Sequence, residues 1–175
     1  MSLVAQPLKP DSVYVIDSSA LIDLARWYPA DMKIFKPIWD KIEELIVNNR
    51  LFSHYEVYRE ITAGSDLMVD WCNDHKEIFQ DIDEEQIEIL EKVRTFYDQH
   101  YWNTHATTQT KPWADPWIVC LAVQIKKGGK LLIKSNVKIV TQENKVKPNR
   151  IPSIAKNFGI KSLNLLEFFR DIGIE

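Results

Sequence analysis

Asp17, Glu60, Asp115 and Glu143 lie far apart in the 175-residue chain, yet each falls where a strand ends or a helical turn begins. Val13-Tyr14-Val15-Ile16 reads as an apolar strand that delivers Asp17, with Ser18 following at once as a helix-capping serine. Val137-Lys138-Ile139-Val140-Thr141 is a second β-branched run, and it ends just before Glu143. In open α/β sheets the crevice outside the carboxyl ends of the strands is where ligands bind, so two such ends place their acids on one rim. Several carboxylates on one rim suit a hard divalent cation held by oxygen. Asp17 and Asp115 are embedded in apolar sequence, where a charge must be capped, paired or metal-bound. Asp115 precedes Pro116 and therefore also reads as an N-cap of the helix it opens.

The elements that must position these acids alternate between strand and helix. Residues 18–28 carry Leu21, Ile22, Leu24 and Ala25 at helical spacing and stop at Pro29. Pro37 suits the first turn of a second helix with Ile38, Ile42, Leu45 and Ile46 as its stripe. Residues 51–53 read as a short strand, and 54–62 as the helix carrying Glu60, broken at Gly64. Residues 66–75 and 83–99 read as two more helices, the latter opened by a capping-box-like Asp83 and Gln86 and burying Ile87, Leu90, Val93 and Tyr97. The polar, threonine-rich stretch 103–112 reads as a loop. The helix at Asp115-Pro116 buries Ile118, Leu121, Ala122 and Ile125 and ends at Gly128-Gly129. Residues 131–133 are a candidate extra strand, 137–141 a strand, Pro152 the start of a short helix, 160–164 a last strand and 165–170 a last helix. This order predicts an α/β fold, three-layer α/β/α with a central, mainly parallel sheet, in which 54–99 is a crossover bearing an extra hairpin of helices.

A chain of this length with 45% hydrophobic residues builds one core, so a single domain over 1–175 is expected, with 1–12 as an N-terminal extension. Cys72 and Cys120 lie in apolar helical segments and read as reduced core residues of a cytoplasmic protein. The longest apolar run, 117–123, is too short to span a bilayer, and no secretory signal is visible. The net charge of −3 argues against a generic basic nucleic-acid binder, but the charge is segregated. Residues 66–98 hold eleven acids against three Lys and Arg, whereas residues 126–161 hold ten Lys and Arg against the single acid Glu143. Lys145, Lys147 and Arg150 follow Glu143 closely enough to line the same rim and are the candidates to contact the phosphates of a polyanion, leaving the acidic stretch to solvent or a basic partner.

Other chemistries fit poorly. An aspartyl phosphatase wants an acid two residues after Asp17, where Ser19 stands. Neither a glycine-rich dinucleotide turn nor a phosphate-binding Gly-Lys-Ser/Thr run occurs among five glycines, and the four histidines lack zinc-ligand spacing. Trp113 and Trp117 flank Asp115; four residues apart on one helix face, they read first as core aromatics and second as a platform for bases.

Val-Ile-Asp17-Ser18-Ser19-Ala-Leu-Ile, Tyr58-Arg59-Glu60-Ile61, Trp113-Ala-Asp115-Pro-Trp117-Ile-Val and Ile139-Val-Thr141-Gln-Glu143 stand in the order and approximate spacing of the PIN-domain ribonucleases. Over residues 13–170 the chain resembles that family, most closely its prokaryotic toxin-like (VapC-like) branch. The resemblance implies a Mg²⁺- or Mn²⁺-dependent endoribonuclease that leaves a 5′-phosphate and a 3′-hydroxyl. Asp17, Glu60 and Asp115 would be the core metal-binding acids, Glu143 the fourth, and Ser18 or Thr141 hydroxyls that orient the site. Glu143 departs from the family's usual Asp, and the longer side chain would reach metal through water. RNA substrate, a cognate antitoxin and a second copy of the chain are the partners this implies. The alternative is a PIN-like RNA-binding or protein-interaction module with weak or no catalysis.

Overall fold

The computed structural model describes residues 12–64, 67–107, 111–128 and 136–174. Residues 1–11 of the expected N-terminal extension, Gly129, Lys130 and the candidate strand at 131–133 lie outside them. Five strands, β1 (Ser12–Ile16), β2 (Leu51–His54), β3 (Phe79–Gln80), β4 (Asn136–Val140) and β5 (Lys161–Leu163), form one all-parallel sheet in the order β3-β2-β1-β4-β5. β1 is buried along its whole length and β4 at every position but its first, as expected of central parallel strands covered on both faces.

Nine α-helices are found among the described residues: α1 (Ser18–Trp27), α2 (Lys36–Val47), α3 (Tyr55–Gly64), α4 (Val69–Asp74), α5 (Glu84–Arg94), α6 (Gln99–Thr107), α7 (Asp115–Lys126), α8 (Ile151–Lys156) and α9 (Leu165–Asp171). The result is a three-layer α/β/α fold. α7 crosses one face against β1, β2 and β4, flanked by α5 and α8, and is buried from Ile118 through Ile125. α2 and α9 pack on β2 and β5. Two polar residues inside the sheet are satisfied by α9: the Tyr14 hydroxyl donates to Asp171 Oδ2 at 2.8 Å, and Lys138 Nζ approaches the same oxygen at 2.5 Å. Buried polar groups left without such partners would each cost about 1–3 kcal/mol.

Several sequence expectations are corrected. Residues 83–99 are not one helix: α5 stops at Arg94, and the stretch expected as a loop at 103–112 is helical through Thr107 in α6. Aromatic packing of Tyr101, Trp102 and His105 on Trp113 overrides the polar composition there. Ile87 is 51% exposed, because α5 turns Gln86, Ile89 and Val93 inward. Gln86 does not close a capping box; its side-chain amide is buried, with Oε1 3.0 Å from His54 Nε2 and Nε2 donating to Gln124 at 3.0 Å. The crossover from 54 onward contains an unexpected edge strand, β3, beside β2. Trp113 precedes α7 and so does not share a helix face with Trp117.

Candidate functional site

The strand order reverses between β1 and β4, which places the sheet's crevice between their carboxyl ends. Ile16 pairs with Val140, so the residues that follow, Asp17 and Thr141, emerge side by side. Asp17, not Ser18, is the N-cap of α1: its extended backbone leaves the strand and its carboxylate accepts from the Ser19 N–H at 3.4 Å. The Ser19 hydroxyl donates to Asp17 Oδ2 at 2.7 Å and lies 3.2 Å from Thr141 Oγ1, which also donates to Asp17 Oδ2 at 3.2 Å. The Ser18 hydroxyl reaches across to α3 and donates to Glu60 Oε2 at 2.7 Å, with Asp17 Oδ1 3.4 Å away. Thr141 Oγ1 in turn accepts from the Glu143 N–H at 3.2 Å. Three hydroxyls thus hold the neighbouring acids: Ser18 on Glu60, Ser19 and Thr141 on Asp17, with Thr141 also accepting from the Glu143 main chain.

Asp115 is carried by α7. It is the first residue of α7, with Ala114 as the cap residue, so the expected N-cap role is not the one it takes. An acid in a helix's first turn still complements the helix dipole. The Ala114 N–H donates to Glu60 Oε1 at 2.8 Å, so one glutamate bridges α1 and the start of α7 through its two oxygens. Glu143 is held by α8: Ile151 N–H donates to its Oε2 at 2.6 Å and Arg150 Nη1 to its Oε1 at 3.3 Å. Of the three cations expected to meet RNA, Arg150 is thus paired with Glu143 and Lys145 with Glu167 at 2.5 Å, while Lys147 is exposed.

Burial raises the pKa of all four acids. It holds Asp115 well above the ordinary aspartate value, and the charges of Glu143, Asp17 and Glu60 add to the rise. Burial pushes Glu60 up to about 7 against the lowering by its Ser18 and Ala114 donors. It raises Asp17 against donation from Ser19, Ser18 and Thr141, and raises Glu143 against Ile151 N–H and Arg150. Four acids that sense one another's charge at the end of a sheet are an expensive arrangement without a counter-ion.

The residues fit a hydrated Mg²⁺ or Mn²⁺. The donor set is all oxygen, four carboxylates with Ser18, Ser19 and Thr141 hydroxyls, as hard cations require. Tyr97 supplies a further sign of fit: 6% exposed, it presents a buried hydroxyl with no protein partner among the described residues, within reach of the Asp115 and Glu143 charges. Among the described residues no three ligand-type side chains already close on one point. Asp17, Glu60 and Glu143 are instead each held by hydrogen-bond donors of the protein. Sequence reasoning missed Ser19, Tyr97 and the Arg150 pairing. Ser19 was legible in principle, since Asp-Ser-Ser after a strand offers two capping hydroxyls; Tyr97 and Arg150 depend on tertiary packing.

The segment carrying Tyr97 is tied to the loop carrying Glu143 by the Asp98 N–H, which donates to Asn149 Oδ1 at 2.7 Å. Asn149 sits at φ 61°, a left-handed conformation that asparagine tolerates better than most residues, just before α8 begins. Among the described residues, no helix is long and apolar enough to cross a membrane. No curated protein matches the chain. Residues 14–175, nearly its whole length, match the model of a family described as a domain of unknown function, DUF4411, and the chain belongs to that family.

Proposed function

We propose that this protein is a Mg²⁺- or Mn²⁺-dependent endoribonuclease of the PIN-domain kind, acting as the toxin of a toxin–antitoxin pair. The observation that carries the reading is the set of four acids at the β1–β4 switch point, with the carboxylates of Asp17 and Glu60 held by Ser18, Ser19 and Thr141 hydroxyls, the Glu143 main chain bonded to Thr141, and Asp115 next to the Ala114 N–H that Glu60 accepts. Asp17, Glu60 and Asp115 would hold the ion, with Glu143 as the fourth acid. Bound there, such an ion would supply positive charge against the phosphodiester and lower the pKa of a water. Ser18 fixes the rotamer of Glu60, and Ser19 with Thr141 fixes Asp17, so the acids meet the ion without a search through conformers. Arg150 offsets the charge of Glu143 and keeps the rim from repelling the polyanion in full.

That same ion pair favours a second reading, a PIN-like module that binds RNA or protein without cutting, because both Glu143 oxygens are engaged by the protein itself. An Mg²⁺- and Mn²⁺-supplemented cleavage assay on single-stranded RNA, with wild type and Asp17→Asn side by side, separates the two. Cleavage by wild type that disappears in the variant supports the nuclease; RNA binding without cleavage by either supports the module. The toxin role predicts growth arrest on expression in bacterial cells, relieved by Asp17→Asn.

A further inference from the structure

A cleft of about 330 Å³ opens at the start of α7, and none of the four acids lines it. Trp102, Trp113 and Trp117 line it together with Arg59, Lys111 and Glu56. Trp113 and Trp117 bracket Asp115 in sequence, and Glu56 lies one turn before Glu60 on α3. The cleft and two of the acids are therefore positioned by the same two helices, α3 with Glu56, Arg59 and Glu60, and α7 with Asp115, Pro116 and Trp117. Trp117 stacks one ring face on the buried His54, with centroids 5.5 Å apart and planes 14° from parallel. That contact holds the indole, which is partly exposed and lines the cleft. Trp113 is braced likewise by Trp102 at 5.2 Å, His105 at 5.1 Å and Tyr97 at 5.5 Å. Arg59 is half exposed, with one guanidinium nitrogen 2.8 Å from Glu56, and Lys111 is exposed.

Rigid, partly exposed indole faces with two flanking cations form the composition that binds single-stranded nucleic acid: every base has a face to stack, and every phosphate needs a cation. We propose that this cleft takes an unpaired nucleotide of single-stranded RNA adjoining the bond at the carboxylate rim, its base stacked on Trp117 and its phosphate on Arg59 and Lys111. The placement rests on the nuclease reading for which bond is cut, but not for the binding itself. It also answers an electrostatic need. The acid rim repels a polyanion, and the cleft supplies the attraction that brings the strand alongside.

The test measures binding apart from cleavage. A fluorescein-labelled single-stranded RNA octamer of mixed sequence is titrated in EDTA at low salt, following anisotropy and tryptophan emission, and cut in parallel with Mg²⁺ or Mn²⁺. Wild type is expected to bind with quenched tryptophan emission. Trp117→Leu should lose about tenfold or more in affinity and much of the quenching, whereas Trp117→Phe, which keeps a stacking face, should lose less. Arg59→Ala with Lys111→Ala, both at exposed positions, should weaken binding and lower the salt slope by about 1.4, or roughly 0.7 for each lost phosphate contact. Circular dichroism melting of each variant keeps a folding defect from passing as a binding defect, and the surface double variant decides the matter if Trp117→Leu unfolds. Octamer affinity and salt slope unchanged in the double variant overturn the cleft even if cleavage is intact. Affinity lost in the variants while wild type never cuts RNA upholds the cleft and removes the nuclease reading instead. Retained RNA binding in every folded variant overturns the proposal and leaves the cleft to a peptide.

Discussion

At the scale of single residues, the carboxylates differ in what holds them, and their substitutions should differ accordingly. Asp115 sits at the first position of α7 under the charges of three other acids. Asp115→Asn keeps its volume, relieves that repulsion and removes a charge the ion needs. Gel-resolved RNA cleavage should fall by about 10²-fold or more, while thermal unfolding in EDTA occurs no lower than in wild type. A variant that cuts at the normal rate would remove Asp115 from the site. Glu143 is different, because its carboxylate carries the first N–H of α8. Glu143→Gln leaves an acceptor for Ile151 and should reduce cleavage less than Asp115→Asn. Glu143→Ala leaves that N–H without its partner and should lower stability by about 1–3 kcal/mol in urea unfolding. Equal catalytic losses for Asp115→Asn and Glu143→Gln would place Glu143 directly on the ion.

At the scale of elements, the basic segment after β4 is partly committed to the fold. Lys145 is clamped on Glu167, a residue that also closes the capping box of α9 with Asn164, and Arg150 holds Glu143. Replacing Lys145, Lys147 and Arg150 together by Glu should weaken RNA binding for every sequence and flatten the salt slope by up to about 0.7 per lost contact. The triple variant also breaks two internal ion pairs, so Lys147→Glu alone isolates the RNA contribution. An affinity and slope unmoved by Lys147→Glu would assign the segment to positioning α8 and α9. Lys126, the next cation to consider, is itself held by the Phe158 and Gly159 carbonyls at 2.9 and 3.0 Å.

At the scale of the whole molecule, the buried acids tie stability to pH and to divalent ions. Glu60 rises from an ordinary value of 4.5 to about 7 because it is buried. Between those values the native protein binds more protons than the unfolded chain, so stability in EDTA should fall as pH rises through that window and level off above it. Mg²⁺ or Mn²⁺ should reverse the trend at neutral pH, adding about 2.7 kcal/mol at a hundred times Kd. For a chain of this size that is a shift of roughly 5–10 °C in Tm. A melting temperature indifferent to millimolar Mg²⁺ and Mn²⁺ would count heavily against the site. The two cysteines belong to the core: both are fully buried, and burial pushes the Cys72 thiol up to about 12 and Cys120 higher still. Native protein should therefore react with a thiol reagent only at its unfolding rate.

What the sequence determined by itself is local. A β-branched run ending in an acid specifies a buried strand with Asp17 at its end, proline near the start and glycine at the end bound α7, and strands separated by helical stretches imply a parallel three-layer sheet. Those features rest on residues near one another in the chain, where periodicity and capping act directly. Other features were settled only by tertiary packing. The helix at 99–107 exists because Tyr101, Trp102 and His105 find Trp113, which no local pattern announces. The edge strand β3 is two residues long and is defined by its partner β2. Glu60 was placed on its helix by the sequence, but its two oxygens reach Ser18 and Ala114, 42 and 54 residues away. The pairing of Arg150 with Glu143 was hidden for the same reason: a charged side chain pairs with whichever opposite charge the fold brings nearest, and that distance is absent from the order of residues along the chain.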